Sequence, residues 1–325
     1  MFVSTRRVRL GAITAVAVFL AAASSVPAFA QTMLTVGKAN ATSDAIIPVD
    51  VGDKLGIFKK HSLDLKIVNF GGGSKMVQAL TAGAIDIGDG AGSEMAFVAK
   101  GAPMLAVCES TGPAPFLGVG VPWDSPVKKL EDLKGKTIGV SSPGSFSDWS
   151  GHELARKFGW GSDGVKTVAI GGGSAPVSAA FRTHLVHAGI AGTSLFLQFE
   201  ETKQGHLVAP VSSFEGNVAS GALFASKALM ASKPDAIRAF IAGWLETVDY
   251  MRAHKAETVK IESALNHFSA DVMSREYDLT IGMHTKDCRF DADSLATLRR
   301  SFVEMKLTGG ESDMSKLYTE AYLPK

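Results

Sequence analysis

The chain has almost no cysteine: Cys108 and Cys288 are the only two among its 325 residues. That excludes a disulfide-built miniprotein and a cysteine-ligated zinc or iron–sulfur centre, each of which takes several thiolates. Charge is sparse as well, with charged residues at 20% and 33 Lys+Arg set against 32 Asp+Glu. Such a balance has no basic footprint for nucleic acid or an anionic membrane, so neither is expected as a partner. Past residue 30 no apolar run approaches the roughly 20 residues that a spanning helix requires. Catalytic signatures are missing too. "KGKT" at 134–137 has Leu130 where a phosphate loop has its first glycine, and Gly118-x-Gly120 lacks the third glycine of a dinucleotide fingerprint. There is no G-x-S-x-G elbow. His184 with His187, and His284 with Cys288, have helical spacing for a metal but lack further ligands nearby. Neither enzyme chemistry nor a cofactor or metal is expected.

What is present begins with an address. Arg6, Arg7 and Arg9 form a basic start, Leu10 to Ala23 is apolar, and Ala28-Phe29-Ala30 is a small-x-small site. Residues 1–30 therefore read as a signal peptide cleaved after Ala30. Three of the 33 basic residues leave with it, so the remainder sets 30 against 32 acidic residues, a formal charge of −2. Export brings both cysteines into an oxidising compartment. A disulfide between them requires Cα atoms within about 7 Å, which the sequence leaves open. Cys108 lies in the strand-like run "MLAVCES", where a buried inert thiol is the simpler reading.

The rest is rich in glycine, with 34 residues, and repeats a program. "MLTVGKA" and "HSLDLKIVNF" alternate as strands, "AIDIGDG" and "PMLAVCE" are short buried strands, and helical patterns lie between them. Ser74 is placed to cap the helix that Gly83 stops, and Ser93 to cap "EMAFVAKG". The second half restarts with "KTIGVSS", the helix "SDWSGHELARKFG", the strands "VKTVAI" and "LVHAGIAG", and a helix capped near Thr193 or Ser194. "GGGS" stands at 71–74 and again at 171–174, and Ile85-Asp86-Ile87-Gly88 overlies Val186-His187-Ala188-Gly189. Strand, turn and helix repeated in this way predict a parallel sheet with helices on its faces, built twice. "GNVASGALFASKAL" reads as a strand crossing back, and the helix "PDAIRAFIAGWLETVDYMRAH" carries an aromatic stripe that is expected to be core.

Ligands of open parallel sheets sit outside the carboxyl ends of the strands, at turns into helices. A helix N-terminus there offers unpaired N–H groups and partial positive charge, and glycine lets backbone approach a ligand. Such turns occur in both halves: "ATSD", "GGGS" and "GAGS", then "SPGS", "GGGS" and "AGTS". A small anion held between two lobes is the expectation. Phe146, Trp149 and Phe214 lie near these turns, where each could stack on an aromatic ligand or simply pack.

The phrases "VGDKLGIFKKHSLDLKIV", "GGGSKMVQALTAGAIDIG", "AFVAKGAPMLAV" and "LEDLKGKTIGVSSPGS" resemble the substrate-binding proteins of ABC importers for nitrate, sulfonate, taurine and thiamine-precursor pyrimidines. The resemblance covers most of residues 33–225. It implies an α/β, type II periplasmic-binding-protein fold of two lobes joined by two hinge crossings, near Gly118 to Val121 and Ala219 to Ala222. Residues 31–120 with 220–325 would form one lobe and 121–219 the other. It further implies a periplasmic, monomeric protein that delivers a small organic anion, foremost a sulfonate or carboxylate, to a membrane permease. The implied ligand-binding residues are Thr42, Ser43, Asp44, Gly72, Gly73, Ser74, Gly90, Gly92 and Ser93 from one lobe. The other would give Ser142, Ser145, Phe146, Gly173, Ser174, Thr193 and Ser194. One departure is His187, which stands where the family has an aspartate. Another is that two cysteines cannot supply the cysteine-rich motif of the pyrimidine-making enzymes on this fold. A secreted enzyme using Asp44, His152 or Glu153 is the alternative, as is a binder of a pyrimidine thiamine precursor.

Overall fold

In the computed structural model, which describes residues 1–3, 31–40, 43–161 and 163–325, the repeat extends from turns to whole sheets. The strands are β1 (Thr32–Lys38), β2 (Leu63–Asn69), β3 (Ile87–Gly90), β4 (Met104–Thr111), β5 (Leu117–Pro122), β6 (Thr137–Val140), β7 (Lys166–Ala169), β8 (Ala188–Gly192), β9 (Gly205–Pro210) and β10 (Gly221–Ser226). One sheet runs β2-β1-β3-β10-β4 and the other β7-β6-β8-β5-β9. In each, the fourth strand in the order is antiparallel to both neighbours, β10 to β3 and β4, and β5 to β8 and β9. The chain therefore exchanges strands: β5 follows β4 of the first sheet but pairs in the second, and β10 returns to the first. β9 carries no strand signal in its sequence, because "GHLVAP" is half-buried along an edge and shows no clean alternation.

Strand composition follows position. β3 and β10 are buried at every residue, as interior strands covered on both faces must be. The helices are α1 (Pro48–Lys54), α2 (Ile57–Lys60), α3 (Gly73–Thr81), α4 (Met95–Ala99), α5 (Phe146–Lys157), α6 (Ser174–Arg182), α7 (Thr193–Glu201), α8 (Lys227–Ser232), α9 (Pro234–Ala253), α10 (Lys255–Asn266), α11 (Ala270–Thr280) and α12 (Ala292–Glu304). α9 starts at a proline, whose fixed φ suits the first helical position. Its stripe Ile237, Phe240, Ile241, Trp244 and Val248 packs with Leu34, Val36 and Leu223 of the first sheet, so the aromatic stripe is core as expected. Each such side chain contributes about 1.5–3 kcal/mol by leaving water. The second lobe has its own core, in which Val119, Ile138, Val140 and Ile190 meet Leu154 of α5.

The C-terminal segment is tied to the first lobe covalently. Cys108 of β4 and Cys288 form a disulfide across 180 residues of sequence, with Cα atoms 4.5 Å apart. The reading of Cys108 as an inert thiol is thus corrected: its position on β4 adjoins a returning, irregular stretch of the chain, where Glu109 N–H donates to Cys288 O. The spacing of His284 and Cys288 is likewise not a metal pair.

Candidate ligand cleft

The turns named from the sequence lie at the carboxyl ends of the parallel strands, β1, β2 and β3 in one lobe and β6, β7 and β8 in the other. After β1, Thr42 lies outside the described residues. Ser43 gives its N–H to Asn40 Oδ1 at 2.8 Å and precedes a short 3-10 turn, Asp44–Ile46. Asp44 is buried. Its Oδ2 accepts the Thr280 hydroxyl at 3.0 Å, while Oδ1 has no partner. Burial pushes its pKa up to about 7, against lowering by the Thr280 and Glu276 side chains. Sequence reasoning missed that α11 reaches this turn, since Glu276 gives no signal of its own among the residues of an amphipathic helix.

At the β2 turn, α3 is capped by Gly72 rather than Ser74. Gly72 takes φ 136°, open only to glycine, and Ser74 sits exposed at the second helical position with no capping bond from Gly72. Gly73 leaves space that a neighbour fills: a Cβ there would displace the end of the Glu94 side chain. Glu94 is buried on the 3-10 turn Gly92–Glu94 after β3, where its Oε2 accepts Ser93 Oγ–H at 3.3 Å. Burial raises its pKa to about 7. Ser93 is therefore inside a turn and does not cap α4, whose N-cap position is Glu94. Gly90 and Gly92 leave room for protein rather than for a ligand alone. A Cβ at Gly90 would meet Met76 Cε at 3.0 Å, and at Gly92 it would strike Ala219 O at 2.0 Å.

In the second lobe Ser142 is exposed, and Ser145 caps α5 by accepting Asp148 N–H at 3.3 Å. Asp148 in turn accepts Gly144 N–H at 2.8 Å, and the hydroxyls of Ser141, Ser145 and Ser147 stand 3.0 Å apart. Phe146 is half-buried and Trp149 fully buried, both in a cluster that includes the first lobe's Leu298 and Phe302. Phe214 is buried in the second lobe's core. Of the three aromatics, Trp149 and Phe214 are thus packing residues here. Gly173 and Ser174 begin α6 in the open, with no side-chain cap. Thr193 and Ser194 are the first two residues of α7 rather than its cap, which is Gly192. Thr193 is buried and donates its hydroxyl to Pro115 O at 2.7 Å, on the segment leading into β5. Ser194 N–H is taken by Glu276 Oε1 at 3.1 Å. Burial raises the Glu276 pKa well above the carboxylate range, and neighbouring Asp44 adds to that.

His187 finds its explanation in the repeat. Asp86 Oδ2 accepts Thr35 N–H at 2.8 Å at the start of the first sheet, and His187 Nδ1 accepts Thr137 N–H at 3.2 Å at the matched place in the second. Both accept a strand N–H one residue before the pairing with the next strand begins, at Val36 with Ile87 and at Ile138 with Ala188. Among the described residues no group of three or more His, Cys, Asp or Glu is arranged to hold a metal ion.

The model of the NMT1/THI5-like family matches residues 44–258. The chain belongs to the NMT1/THI5-like family. A Brucella abortus (strain 2308) protein whose name gives it a provisional assignment as a binding protein is 27% identical over 213 residues, 65% of each chain. The chain thus spans about 65% of the length of the curated relatives it matches. Among solved structures, the periplasmic aliphatic sulphonate binding protein SsuA of Escherichia coli is similar, with a TM-score of 0.74 at 18% identity over 88% of this chain and 92% of that one. A desulfurization enzyme shares the fold too, with a TM-score of 0.64 at 14% identity over 90% of this chain and 97% of the enzyme. At these identities the likeness establishes the periplasmic-binding-protein fold, with two α/β lobes, for this member of the NMT1/THI5-like family.

Proposed function

We propose that this NMT1/THI5-like protein is the extracytoplasmic solute-binding component of an ABC importer, working as a monomer that closes two lobes on a small organic anion and delivers it to a membrane permease. The observation that carries this reading is the reciprocal exchange of β5 and β10, which leaves two crossings between lobes that each present helix N-termini. Sheet membership supports lobes divided near residues 112–116 and 214–220, slightly before the division expected from the sequence. The signal-peptide pattern at 1–30, all but three residues of which lie outside those described, supports a periplasmic location.

The six turns are not equivalent acceptors for an anion. Glu276 already occupies the Ser194 N–H, Asp148 occupies Gly144 N–H, and Glu94 lies over Gly73. The open start of α6 at Gly173 and Ser174 is the better seat for a sulfonate or carboxylate. Ser74 and Ser142, both exposed, remain as hydroxyl donors. A secreted enzyme is the weaker reading, since Glu153 is held by two arginines and His152 is largely exposed beside Asp148. Native mass spectrometry of the purified protein tests the proposal: a stoichiometric small mass, released unchanged on denaturation, supports it. A chemically altered product would favour the enzyme, and no saturable binding of any sulfonate, carboxylate, nitrate or pyrimidine would sink the binding reading.

A further inference from the structure

One face of α5 belongs to its own lobe: Leu154 and Ala155 lie in the second lobe's core, and Gly151 allows Thr167 to approach. The stripe Phe146, Trp149 and Glu153, three and four residues apart, faces the other lobe. Trp149 is 1% exposed and belongs to the cluster that holds Met95, Leu298 and Phe302, and its Nε1–H donates to Glu304 Oε2 at 3.3 Å. Arg300 of α12 donates to both oxygens of Glu153, at 2.7 and 3.1 Å, and lies 5.9 Å from the Trp149 ring. α12 is itself fixed to the first lobe. Ser294 at its start donates to Glu109 of β4 at 2.9–3.0 Å, and the Cys108–Cys288 disulfide closes just before it.

We propose that α5 and α12 form a releasable latch that holds the lobes together, with Trp149 as its plug and the Glu153–Arg300 pair as its catch. This rests on the two-lobed clamp reading and specifies how that clamp stays shut. The charge arrangement shows why the catch can open. A buried charge deprived of its only partner is strongly destabilising, yet here each charge has a second partner on its own helix. Glu153 keeps Arg156, at 2.8 and 2.6 Å, and Arg300 keeps Glu304, at 3.1 and 3.2 Å. Parting the lobes therefore breaks one ion pair and strands neither ion, and the Trp149 N–H goes to water. The second contact across the lobes has an apolar centre with polar bonds around it. α11 meets α7 through Leu197, Val272, Met273 and Tyr277, while Arg275 donates to Glu200 at 2.6 Å, Ser269 to Glu201 at 2.8 Å and Ser194 N–H to Glu276 at 3.1 Å, so no single polar substitution would release it.

The test is small-angle scattering and tryptophan emission on the purified protein stripped of any bound solute. Arg300→Ala removes charge-assisted hydrogen bonds that are each about a tenfold change in an equilibrium constant, so the ratio of closed to open protein should fall at least about tenfold. The radius of gyration should rise and the emission move to the red as Trp149 meets water. Arg156→Ala is the control: it takes away the partner within the same helix, so the thermal midpoint should fall while the radius stays at the wild-type value. A wild-type radius in Arg300→Ala, or equal opening in both variants, would overturn the latch. Should Arg300→Ala not fold, Arg300→Lys, which keeps the charge but loses the fork, decides in the same way by its radius. Failure of the clamp reading is separate, since it is read from the absence of any bindable solute rather than from the variants.

Discussion

Glu215 stands between the two crossings. One carboxyl oxygen accepts Ala114 N–H at 2.7 Å on the way into β5, and the other is buried without a partner shortly before β10. Burial raises its pKa from 4.5 to about 8, which the single backbone bond only partly opposes. Below about pH 4.5 the group is protonated in both folded and unfolded chains and has no pH-dependent effect. As the pH rises from there towards 8, the folded state holds a proton that the unfolded state has lost, so stability falls across that window. A displacement from 4.5 to about 8 corresponds to about 5 kcal/mol. Glu215→Gln keeps the shape and the acceptor for Ala114 and cannot ionise. Chemical denaturation at pH 5 and at pH 8 should therefore show a difference between variant and wild type that grows by several kcal/mol in favour of the glutamine. A difference that does not change with pH would refute the idea that the Glu215 carboxyl is buried with a displaced pKa.

Other consequences follow from the same geometry. Cys108→Ser with Cys288→Ser should lower stability by about 2–5 kcal/mol in guanidinium titrations, towards the upper end because the bridge spans 180 residues; an effect below about 1 kcal/mol would mean that non-covalent contacts alone hold the C-terminal segment. His187→Leu removes the acceptor of Thr137 N–H at an exposed position where water can take its place, so it should cost about 1 kcal/mol or less by thermal melting, whereas His187→Asp should restore most of it. If the aspartate is no better than leucine, His187 has a role other than that of Asp86. Gly92→Ala should be strongly destabilising because its Cβ meets backbone at Ala219, and a wild-type thermal midpoint would count against that fit. Ser74→Ala with Ser174→Ala should weaken ligand binding measured by calorimetry without a change in melting, since both hydroxyls are exposed; unchanged affinity would make these turns structural.

Local periodicity determined a good part of this protein. The alternation of "MLTVGKA", the spacing in α9 and the doubled "GGGS" each reflect near-neighbour constraints, so the two α/β sheets and the glycine turns were legible before any coordinates. The resemblance of short phrases supplied the expected crossings, while the pairing of β5 wholly with the second sheet is a long-range fact that no short phrase contains. Tertiary structure alone decided what pairs across the chain. A carboxylate such as Glu94 or Glu276 looks like any surface residue until a distant glycine or helix N-terminus is laid against it. Ser74 and Ser93 looked like caps because hydroxyls near helix starts usually are, and the positive φ of Gly72 and the turn at Gly92–Glu94 displaced them. The disulfide, the burial of Trp149 in the opposite lobe and the shared role of Asp86 and His187 join residues dozens to hundreds of positions apart. Sequence writes the elements through interactions a few residues long, while contacts of long separation exist only once the chain has brought both partners to one place.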